Sequence, residues 1–203
     1  HLPMDDPDRD KLGIVISETQ RMENMVKDML NFSRPLELHL CKDDIFKLSE
    51  ECAAILSEIA QVKKVSIEVD LASDTPPLAF DSTRMKQALI NLGTNAIQAS
   101  SEGDTVKIRA FSRRDGFVLD VMDGGCGIPL DQREKIFQPF FTTKKEGTGL
   151  GLPIVKKIIE AHKGRLEILD NPDKGATFRI VLPIIECGTC DKGQQGGPIQ
   201  DTR

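Results

Sequence analysis

The hydrophobic residues in the first part of the chain recur at helical spacing over residues 11–34. Successive apolar positions alternate between three and four residues apart, as in a helix that packs against other helices. The positions in this seam are Leu12, Val15, Thr19, Met22, Val26 and Met29. The segment is either one amphipathic helix on a globular core or half of a helical hairpin that dimerises, and the narrow seam favours the hairpin. Pro35 ends it, because the residue before a proline is pushed out of the α region.

Three further segments have the apolar periodicity of helices. They cover residues 44–62, residues 82–100 and about residues 150–162. Asp81 immediately precedes the second of these and is a suitable N-cap residue. The glycine-rich connection over residues 124–149 contains Asp131 and Glu134 at capping-box spacing, which predicts one short helix there.

Alternation of apolar and polar residues predicts five strands, four of which lie in pairs around short turns. The strands cover residues 65–70, 105–111, 117–123, 165–169 and 176–183. Helices grouped against a mostly antiparallel sheet are typical of an α+β fold. We therefore predict a two-layer α/β sandwich over residues 36–186. A separate helical arm over residues 1–35 precedes it, and a flexible tail over residues 187–203 follows it.

The composition fits a soluble globular protein and disfavours several classes of function. The 203 residues are 39% hydrophobic and 29% charged, which supports a real core. Aromatic residues make up 4% and the net charge is -5, which argues against nucleic-acid binding. No apolar run approaches the roughly 20 residues that a membrane span needs. We expect a cytoplasmic location, with any membrane attachment through segments outside this chain.

The cysteines do not form an evident disulfide framework, because there are five of them. Cys187 and Cys190 form a CxxC pair, for which half of a zinc site or a redox pair is one interpretation. No second CxxC is present in the sequence, and the segment is rich in glycine. We therefore interpret the pair as two small residues in a loose terminus.

The helix after Asp81 carries a polar stripe beside its apolar face. The stripe consists of Arg84, Gln87, Asn91, Asn95 and Gln98. Asparagine is a poor residue inside a helix because its side chain competes for backbone hydrogen bonds. Its carboxamide oxygen is a suitable ligand for Mg²⁺, which also binds the phosphates of a substrate. The alternative is a solvated stripe in which the two asparagines bind nothing, and the stripe alone does not decide between the two.

A strand ends at Asp123, and the loop that follows contains Gly125 and Gly127. A carboxylate in this position accepts hydrogen bonds, and the glycines let a flat ligand lie close to the backbone. The amino group of an adenine is one candidate donor. The alternative is an ordinary Asp-Gly turn, because a single DxGxG pattern is weak evidence.

The helix near residue 150 is preceded by Gly147, Gly149 and Gly151, at every second position. A glycine inside a helix costs roughly 1 kcal/mol relative to alanine, so three of them at a helix start require an explanation. A helix start exposes unpaired N–H groups and the positive end of the helix dipole, which together bind anions. Lys144 and Lys145 lie just upstream and add positive charge. We therefore assign the glycines to polyphosphate binding, although the pattern is neither a dinucleotide fingerprint nor a P-loop.

Four segments resemble the N, G1, F and G2 boxes of bacterial sensor histidine kinases, in the order of that family. They are "NLGTNAIQAS", "DGGCGIP", "FQPFFTTK" and "GTGLGLPIVKKIIEAHKG". In the arm, "ISETQRMENMVKDMLNFSRP" resembles the second helix of the family's dimerisation and histidine-phosphotransfer hairpin. The resemblance implies an ATP-binding α/β sandwich of the GHKL type, with a lid between the G1 and G2 boxes. It also implies Mg²⁺ and ATP as cofactors, a homodimer through the arm, and the receiver domain of a response regulator as partner.

The resemblance implies roles for individual residues. Asn95 would bind Mg²⁺, and it would act in catalysis together with Lys144. Asp123 would accept the adenine amino group, and Thr177 would help to hold adenine through a water molecule. The implied nucleotide-binding residues are Asn91, Asn95, Asp123, Gly125, Gly127, Ile128, Lys144, Thr148, Gly149, Leu150, Gly151, Leu152 and Thr177. The phenylalanines of the F box, expected to pack the lid as core residues, are Phe137, Phe140 and Phe141.

The sequence departs from the family pattern in two places. Gly124 stands where the G1 box usually has asparagine, which is expected to loosen the loop but leaves the Asp123 carboxylate intact. No acceptor motif is present, in which a histidine is followed by an acidic residue and then by Arg or Lys, Asn and Pro. His1 is followed by "LPMDDP", and neither His39 nor His162 has an acceptor context. We expect the acceptor histidine to precede this chain in the full protein.

Three functional hypotheses follow from these observations. The first is the catalytic core of a histidine kinase, which passes the γ-phosphoryl group of Mg·ATP to a histidine, and from there to an aspartate of a response regulator. The second is a GHKL ATPase that drives dimer clamping, like the topoisomerase, mismatch-repair and chaperone members. The third is a non-catalytic module that senses nucleotide and dimerises through the arm. The F box and the arm favour the first.

Overall fold

The computed structural model describes residues 7–33, 35–72, 78–114, 116–144, 147–171 and 174–184. The helices are α1 (Pro7–Ser33), α2 (Ile45–Lys63), α3 (Ser82–Ala99) and α4 (Gly151–Ala161). The strands are β1 (Cys41–Asp43), β2 (Ser66–Leu71), β3 (Leu78–Phe80), β4 (Thr105–Arg113), β5 (Gly116–Met122), β6 (Arg165–Asp170) and β7 (Ala176–Leu182). Two short 3₁₀ turns, Leu130–Gln132 and Lys135–Phe137, lie between β5 and α4.

Side-chain caps start α2 and α3, and the sequence predicts the second of these caps, at Asp81. The Asp44 carboxylate accepts hydrogen bonds from the N–H groups of Phe46 (2.8 Å) and Lys47 (3.2 Å). The Asp81 carboxylate accepts one from the N–H group of Arg84 at 3.0 Å. These N–H groups have no partner inside their helices, so the caps remove an unsatisfied donor at each start. The predicted positions of both helices are confirmed.

The main sheet has five strands in the order β2-β4-β5-β7-β6. Only β2 and β4 run parallel, and the other three pairs are antiparallel, as expected. On one face of the sheet, Ile108, Leu119 and Ile180 are fully buried in one core with residues of α2, α3 and α4. Successive side chains of a strand point to opposite faces, so every second residue of these strands faces the helices. One layer of helices therefore buries this face of the sheet. The predicted two-layer α/β sandwich is therefore confirmed.

The opposite face of the sheet carries a row of alternating charge across all five strands. From β2 to β6, the paired residues of this row are Asp70, Arg109, Asp120, Arg179 and Glu167. The Arg179 guanidinium donates two hydrogen bonds of 2.7 Å to the buried Asp120 carboxylate. Every neighbouring pair in the row is attractive, and a slip by one residue would turn these side chains to the other face. The row therefore helps to fix the register of the sheet.

The helical arm α1 presents its apolar residues to solvent. The predicted seam residues Leu12, Val15, Met22, Val26 and Met29 are each at least half exposed. Residues outside the seam are exposed as well, namely Ile14, Ile16 and Leu30. The exposed apolar surface is therefore wider than a narrow seam, and dimerisation through the arm stays a prediction. In the described part of the chain, no helix combines the length and the apolar character that crossing a membrane requires.

Several local predictions differ from the structure. The capping box of Asp131 and Glu134 is wrong, because neither 3₁₀ turn has a side-chain cap. Asp131 lies inside the first turn and Glu134 has helical backbone angles, so neither can act as an N-cap with extended backbone. Phe140 is not a core residue, because its side chain is 57% exposed. The short strands β1 and β3, which pair antiparallel, are absent from the prediction.

Some predictions fall on residues that the structure does not describe. They include Lys145 and the entire tail over residues 187–203, with its cysteine pair. His1 also lies outside the described residues.

Candidate functional site

A cavity of about 1280 Å³ lies between α3, the loop after β5, the connection that precedes α4, and the first turn of α4. Protein ligand cavities commonly measure about 300–1,000 Å³, so this one is large enough for a ligand of several chemical parts. Glu18 and Gln20 of the arm also line it. The segments that the sequence analysis singled out for their chemistry therefore meet around one space.

α3 supplies the polar wall of the cavity through two asparagines one turn apart. Both Asn91 and Asn95 are half-buried and line the cavity. The Asn91 amide nitrogen donates to the carbonyl oxygen of Gly151 at 3.4 Å, which connects α3 to the start of α4. The Asn95 carboxamide oxygen accepts a hydrogen bond of 3.0 Å from the ammonium group of Lys144. The Asn95 oxygen thus already attracts a cation, which fits a ligand of Mg²⁺.

Asp123 lies directly after β5 and is 4% exposed, with its carboxylate in the cavity wall. Its Oδ1 atom accepts hydrogen bonds from the N–H groups of Gly125 (2.9 Å) and Ala176 (3.1 Å). Its Oδ2 atom receives no hydrogen bond from the residues that the structure describes. Burial raises the pKa of Asp123, and the two N–H donors partly oppose this effect. An acceptor atom that is open to the cavity and has no donor among the described residues is suited to a donor from a ligand, such as an amino group.

At three glycines in and beside the loop after β5, a Cβ would lie close to neighbouring backbone atoms. Gly175, in the turn between β6 and β7, has a φ of +99°, and a Cβ there would lie 2.0 Å from the Asp123 carbonyl oxygen. Gly127 has a φ of +76°, and its Cβ would lie 3.3 Å from the Gly175 carbonyl oxygen. A Cβ on Gly125 would lie 2.9 Å from the carbonyl oxygen of Ala99 at the end of α3. The reason for Gly125 is therefore its packing against α3 rather than contact with a ligand.

For two of the three glycines before α4, atoms of the loop itself occupy the space of a Cβ. A Cβ on Gly147 would lie 2.5 Å from the Thr142 hydroxyl oxygen. Gly149 has a φ of +69°, and its Cβ would lie 2.5 Å from the Phe140 carbonyl carbon. The same two residues are joined by a hydrogen bond of 3.0 Å from the Phe140 N–H to the Gly149 carbonyl. Assigning all three glycines to polyphosphate binding is therefore too broad.

Gly151 differs from the other two, because the protein leaves its Cβ position open. The nearest atoms would be the Asn95 amide nitrogen at 3.9 Å and the Asn91 Cγ at 4.0 Å, both ordinary contact distances. Gly151 is the first residue of α4 and faces the cavity beside both asparagines. The first N–H groups of a helix have no partner inside it, and they favour an anion. Packing therefore does not explain the glycine at residue 151, and the open position leaves room for a ligand beside the helix start.

Lys144 places its ammonium group over the C-terminal half of α3. Besides the bond to Asn95, it donates to the Gln98 side-chain oxygen at 2.5 Å. Lys63 donates to the backbone carbonyl of the same Gln98 at 2.7 Å. Loss of solvation lowers the pKa of Lys144, and the positive charge of Lys63 adds to this effect. Two ammonium groups thus converge on the negative end of the α3 dipole, beside the cavity.

Ten of the thirteen implied nucleotide-binding residues line the cavity, so most of the predicted set shares one surface. They are Asn91, Asn95, Asp123, Gly127, Ile128, Lys144, Thr148, Gly149, Gly151 and Leu152. Among the other three, Gly125 packs against α3 and the Leu150 side chain is fully buried in the core. Thr177 is buried on β7 between Ala176 and Phe178, which line the cavity. Strand alternation turns the Thr177 side chain to the face opposite that of its two neighbours.

Several lining residues were not predicted from the sequence. They include Thr94, Cys126, Phe141, Thr142, Ala176 and Phe178. Thr94 immediately precedes Asn95, and Cys126 lies between two glycines of the G1 box. Both residues are therefore adjacent to residues that the sequence predicts for the site. Ala176 and Phe178 reach the cavity only because β7 pairs with β5 in the observed register. No local pattern in residues 174–180 indicates this.

Neither described histidine lines the cavity. His162, which ends α4, is buried, and its Nε2 atom accepts the N–H of Asp81 at 3.0 Å. Its Nδ1 atom must then carry the proton, and it donates to the Ile158 carbonyl at 2.8 Å. His162 therefore joins the end of α4 to the start of α3, consistent with a helix-end residue. His39 is exposed, and its backbone N–H donates to the Asp81 carboxylate at 2.9 Å.

The cavity brings together the groups that a nucleotide with a divalent cation requires. The buried Asp123 carboxylate suits the amino group of a base, and the open helix start at Gly151 suits phosphate oxygens. The carboxamide oxygen of Asn95 suits Mg²⁺, and Lys144 supplies a further positive charge. The residues present therefore fit both ATP and Mg²⁺.

Residues 80–186 match the family described as histidine kinase-, DNA gyrase B-, and HSP90-like ATPase. The match covers more than half of the chain. It includes α3, the loop after β5 and α4, and thus almost the entire wall of the cavity.

Curated relatives of the chain are bacterial sensor kinases. Signal transduction histidine-protein kinase AtoS of Escherichia coli (strain K12) is 34% identical over 174 residues, 85% of this chain and 29% of that protein. Sensor histidine kinase ZraS of the same strain is 33% identical over 171 residues, 84% of this chain and 37% of that protein. The chain thus spans about a third of the length of these relatives.

Solved structures of histidine kinases share the fold. Full-length ShkA in complex with AMPPNP has a TM-score of 0.78 at 26% identity, covering 93% of this chain and 41% of that one. Histidine kinase ThkA in complex with the response regulator TrrA has a TM-score of 0.77 at 30% identity, covering 91% and 54%. The chain belongs to the histidine kinase-, DNA gyrase B- and HSP90-like ATPase family, and it carries the GHKL-type ATP-binding catalytic domain of a two-component sensor histidine kinase.

Proposed function

We propose that the chain transfers the γ-phosphoryl group of Mg·ATP to a histidine outside this chain, for relay to an aspartate of a response regulator. One observation carries the proposal. A single cavity joins the Asp123 Oδ2 atom, which has no hydrogen-bond donor among the described residues, to the open helix start at Gly151. These two features suit the two ends of ATP, the base and the polyphosphate.

At the base end, Asp123 accepts a hydrogen bond from the adenine amino group. Gly127 and Ile128 line the cavity beside it, where a planar ring can lie against their backbone. The Asp123 carboxylate is already oriented by the N–H groups of Gly125 and Ala176. Recognition at this end therefore needs little rearrangement of the protein.

At the phosphate end, the N–H groups over residues 148–152 donate to phosphate oxygens, and Lys144 adds an ammonium group. Asn95 would hold Mg²⁺ through its carboxamide oxygen, and Asn91 lines the same side of the cavity. When bound, the metal ion neutralises charge on the phosphate oxygens. In phosphoryl transfer the protein chiefly positions the reactants and stabilises charge, and these groups perform both tasks. Asn95 and Lys144 are accordingly the residues to which we assign catalysis.

The acceptor and the partners lie outside the described residues. His39 and His162 do not line the cavity, so we assign the acceptor to another segment or subunit. The structure of ThkA with its response regulator TrrA supports a receiver domain as partner. The exposed apolar residues of α1 support a homodimer through the arm.

Incubation with γ-labelled ATP tests the proposal. The chain should bind Mg·ATP without labelling itself, and it should label a separately added helical hairpin that carries an acceptor histidine. Label on His1, His39 or His162 would contradict the assignment of the acceptor. Steady release of labelled phosphate without an acceptor would instead favour a clamp-type ATPase of the same family.

The metal assignment is tested by Asn95→Ala. Nucleotide affinity measured by calorimetry with Mg²⁺ and with EDTA should differ for the wild type and become nearly equal for the variant. Gln87→Ala is the matched control, because Gln87 lies on the same helix and does not line the cavity. An Asn95→Ala protein that keeps the full effect of Mg²⁺ would rule out this ligand.

A further inference from the structure

Gln98 contacts the nucleotide cavity but is not among the residues that the resemblance implies. Its side-chain oxygen accepts a hydrogen bond of 2.5 Å from the Lys144 ammonium, which also donates to the Asn95 carboxamide oxygen at 3.0 Å. Asn95 and Gln98 are three residues apart on α3, so their side chains lie on the same face. Two neutral amide oxygens of one helix therefore hold a single ammonium group.

The backbone of Gln98 is held by hydrogen bonds from Lys63 of α2. Lys63, at the end of α2, donates to the Gln98 backbone carbonyl at 2.7 Å and to the Ile97 carbonyl at 3.2 Å. These carbonyl groups belong to the last turn of α3, where no further helical N–H is available to them. The helix end that carries Gln98 is thereby held against α2. Gln98 can consequently present its side chain to Lys144 from a rigid support.

The contact conflicts with the metal site proposed for Asn95. A divalent cation on the Asn95 oxygen and an ammonium group 3.0 Å from the same oxygen would be close neighbours of like charge. The two cations therefore compete for this oxygen. The Lys144 ammonium also has a second use, because phosphate oxygens at the start of α4 are better partners for it than neutral amides.

We propose that Gln98 is a positioning residue that keeps the Lys144 ammonium on the Asn95 oxygen until Mg²⁺ and nucleotide displace it. This inference rests on the proposed function of Asn95. Lys144 is then released to the phosphates in the same step that brings Mg²⁺ to Asn95. Gln98 thereby raises the Mg²⁺ concentration that nucleotide binding requires. Removing the Gln98 side chain should lower this concentration.

Gln98→Leu tests the inference, because leucine keeps the bulk of the side chain and removes the acceptor. Gln87→Leu is the control, on the same helix but away from the cavity. The first measurement is the rate at which acetic anhydride acylates Lys144 without nucleotide, read by mass spectrometry. The second is the Mg²⁺ concentration for half-maximal ADP binding, read by calorimetry. For Gln98→Leu, acylation should be about threefold faster and the Mg²⁺ concentration about threefold lower, since one of two charge-assisted hydrogen bonds is lost.

A second pair of variants shows whether the effect passes through Lys144. In a Lys144→Ala background, Gln98→Leu should no longer change the Mg²⁺ concentration required. A persistent change there, or weaker Mg·ADP binding by Gln98→Leu alone, would overturn the inference, because Gln98 would then act on the nucleotide directly. The acylation rate separates this inference from the proposed function. If ADP does not bind at all, the proposed function fails, whereas equal acylation of wild type and Gln98→Leu overturns the role of Gln98.

Discussion

Replacing Gly151 by alanine should impair nucleotide binding and leave the fold intact. The new methyl group would lie 3.9 Å from the Asn95 amide nitrogen and 4.0 Å from the Asn91 Cγ, without overlap. Residue 151 begins α4 and does not have a positive φ. Alanine is up to about 1 kcal/mol more favourable than glycine within a helix. The free energy of unfolding should therefore stay constant or rise by up to about 1 kcal/mol.

Because the Cα–Cβ bonds of a helix tilt toward its N-terminus, we expect the same methyl group to restrict access to the N–H groups at the start of α4, where we place the phosphates. A hydrogen bond to a charged group contributes about 1.5–3 kcal/mol. Because about 1.4 kcal/mol corresponds to a tenfold change in affinity, losing one such bond should weaken Mg·ADP binding about 10- to 100-fold. Calorimetric titration gives the affinity, and urea denaturation gives the free energy of unfolding of the same protein.

Gly149→Ala is the matched comparison, two residues away, and should lower the stability of the fold, which Gly151→Ala should not do. Its φ of +69° and a Cβ only 2.5 Å from the Phe140 carbonyl carbon force the backbone to move. The left-handed conformation alone costs a residue with a Cβ about 1–2 kcal/mol, so the free energy of unfolding should fall by at least this amount. Wild-type affinity in Gly151→Ala, or wild-type stability in Gly149→Ala, would refute the reasoning.

Three further predictions concern the base end of the cavity, the sheet and the arm. Burial raises the pKa of Asp123, so the folded chain binds a proton there more readily than the unfolded chain. The free energy of unfolding should therefore fall as pH rises from the ordinary carboxyl pKa through the raised pKa of Asp123. Asp123→Asn should remove this pH dependence, measured by urea denaturation at several pH values. An unchanged pH dependence in the variant would contradict the prediction. Arg179→Met leaves the buried Asp120 carboxylate unpaired and should lower the free energy of unfolding by about 3–5 kcal/mol in urea, whereas exposed Arg114→Met should change it little. Val15→Asp should give the monomer mass in light scattering where the wild type gives a dimer, and a dimer of the variant would exclude this seam.

The sequence predicted those elements whose determinants are local. The caps of α2 and α3 lie within three residues of the N–H groups that they bind, so a short pattern contains the whole signal. β1 and β3 have three residues each, and they exist because Cys41 pairs with Phe80 from a distant part of the chain. No periodicity can develop in three residues. These strands consequently could not be predicted from pattern alone.

The site residues likewise differ in whether a local motif or a distant contact determines them. The carboxylate of Asp123 and the glycines before α4 could be found, because each lies within one short motif. Gly175 could not, because it is required by the Asp123 carbonyl oxygen, 2.0 Å from where its Cβ would lie. Ala176 contributes only backbone groups to Asp123, because its N–H donates to the carboxylate and its carbonyl accepts the Asp123 N–H. Backbone groups leave no trace in the residue type. The resemblance implies Thr177 as a binding residue, but strand alternation directs its side chain away from the cavity.

Gly124 shows that a departure within a motif can depend on a residue outside it. A Cβ on Gly124 would lie 3.0 Å from the Asp104 Cγ and 3.2 Å from its Cβ. Asp104 is held there by a hydrogen bond of 2.7 Å from the Ser101 N–H, and its carboxylate lies 3.6 Å from the Lys174 ammonium. Any side chain at residue 124 would require this carboxylate to shift by a few tenths of an ångström. The side chain of Asp104 thus occupies the space beside the loop, and we infer that the loop keeps the Asp123 geometry because packing from outside the motif replaces the missing asparagine.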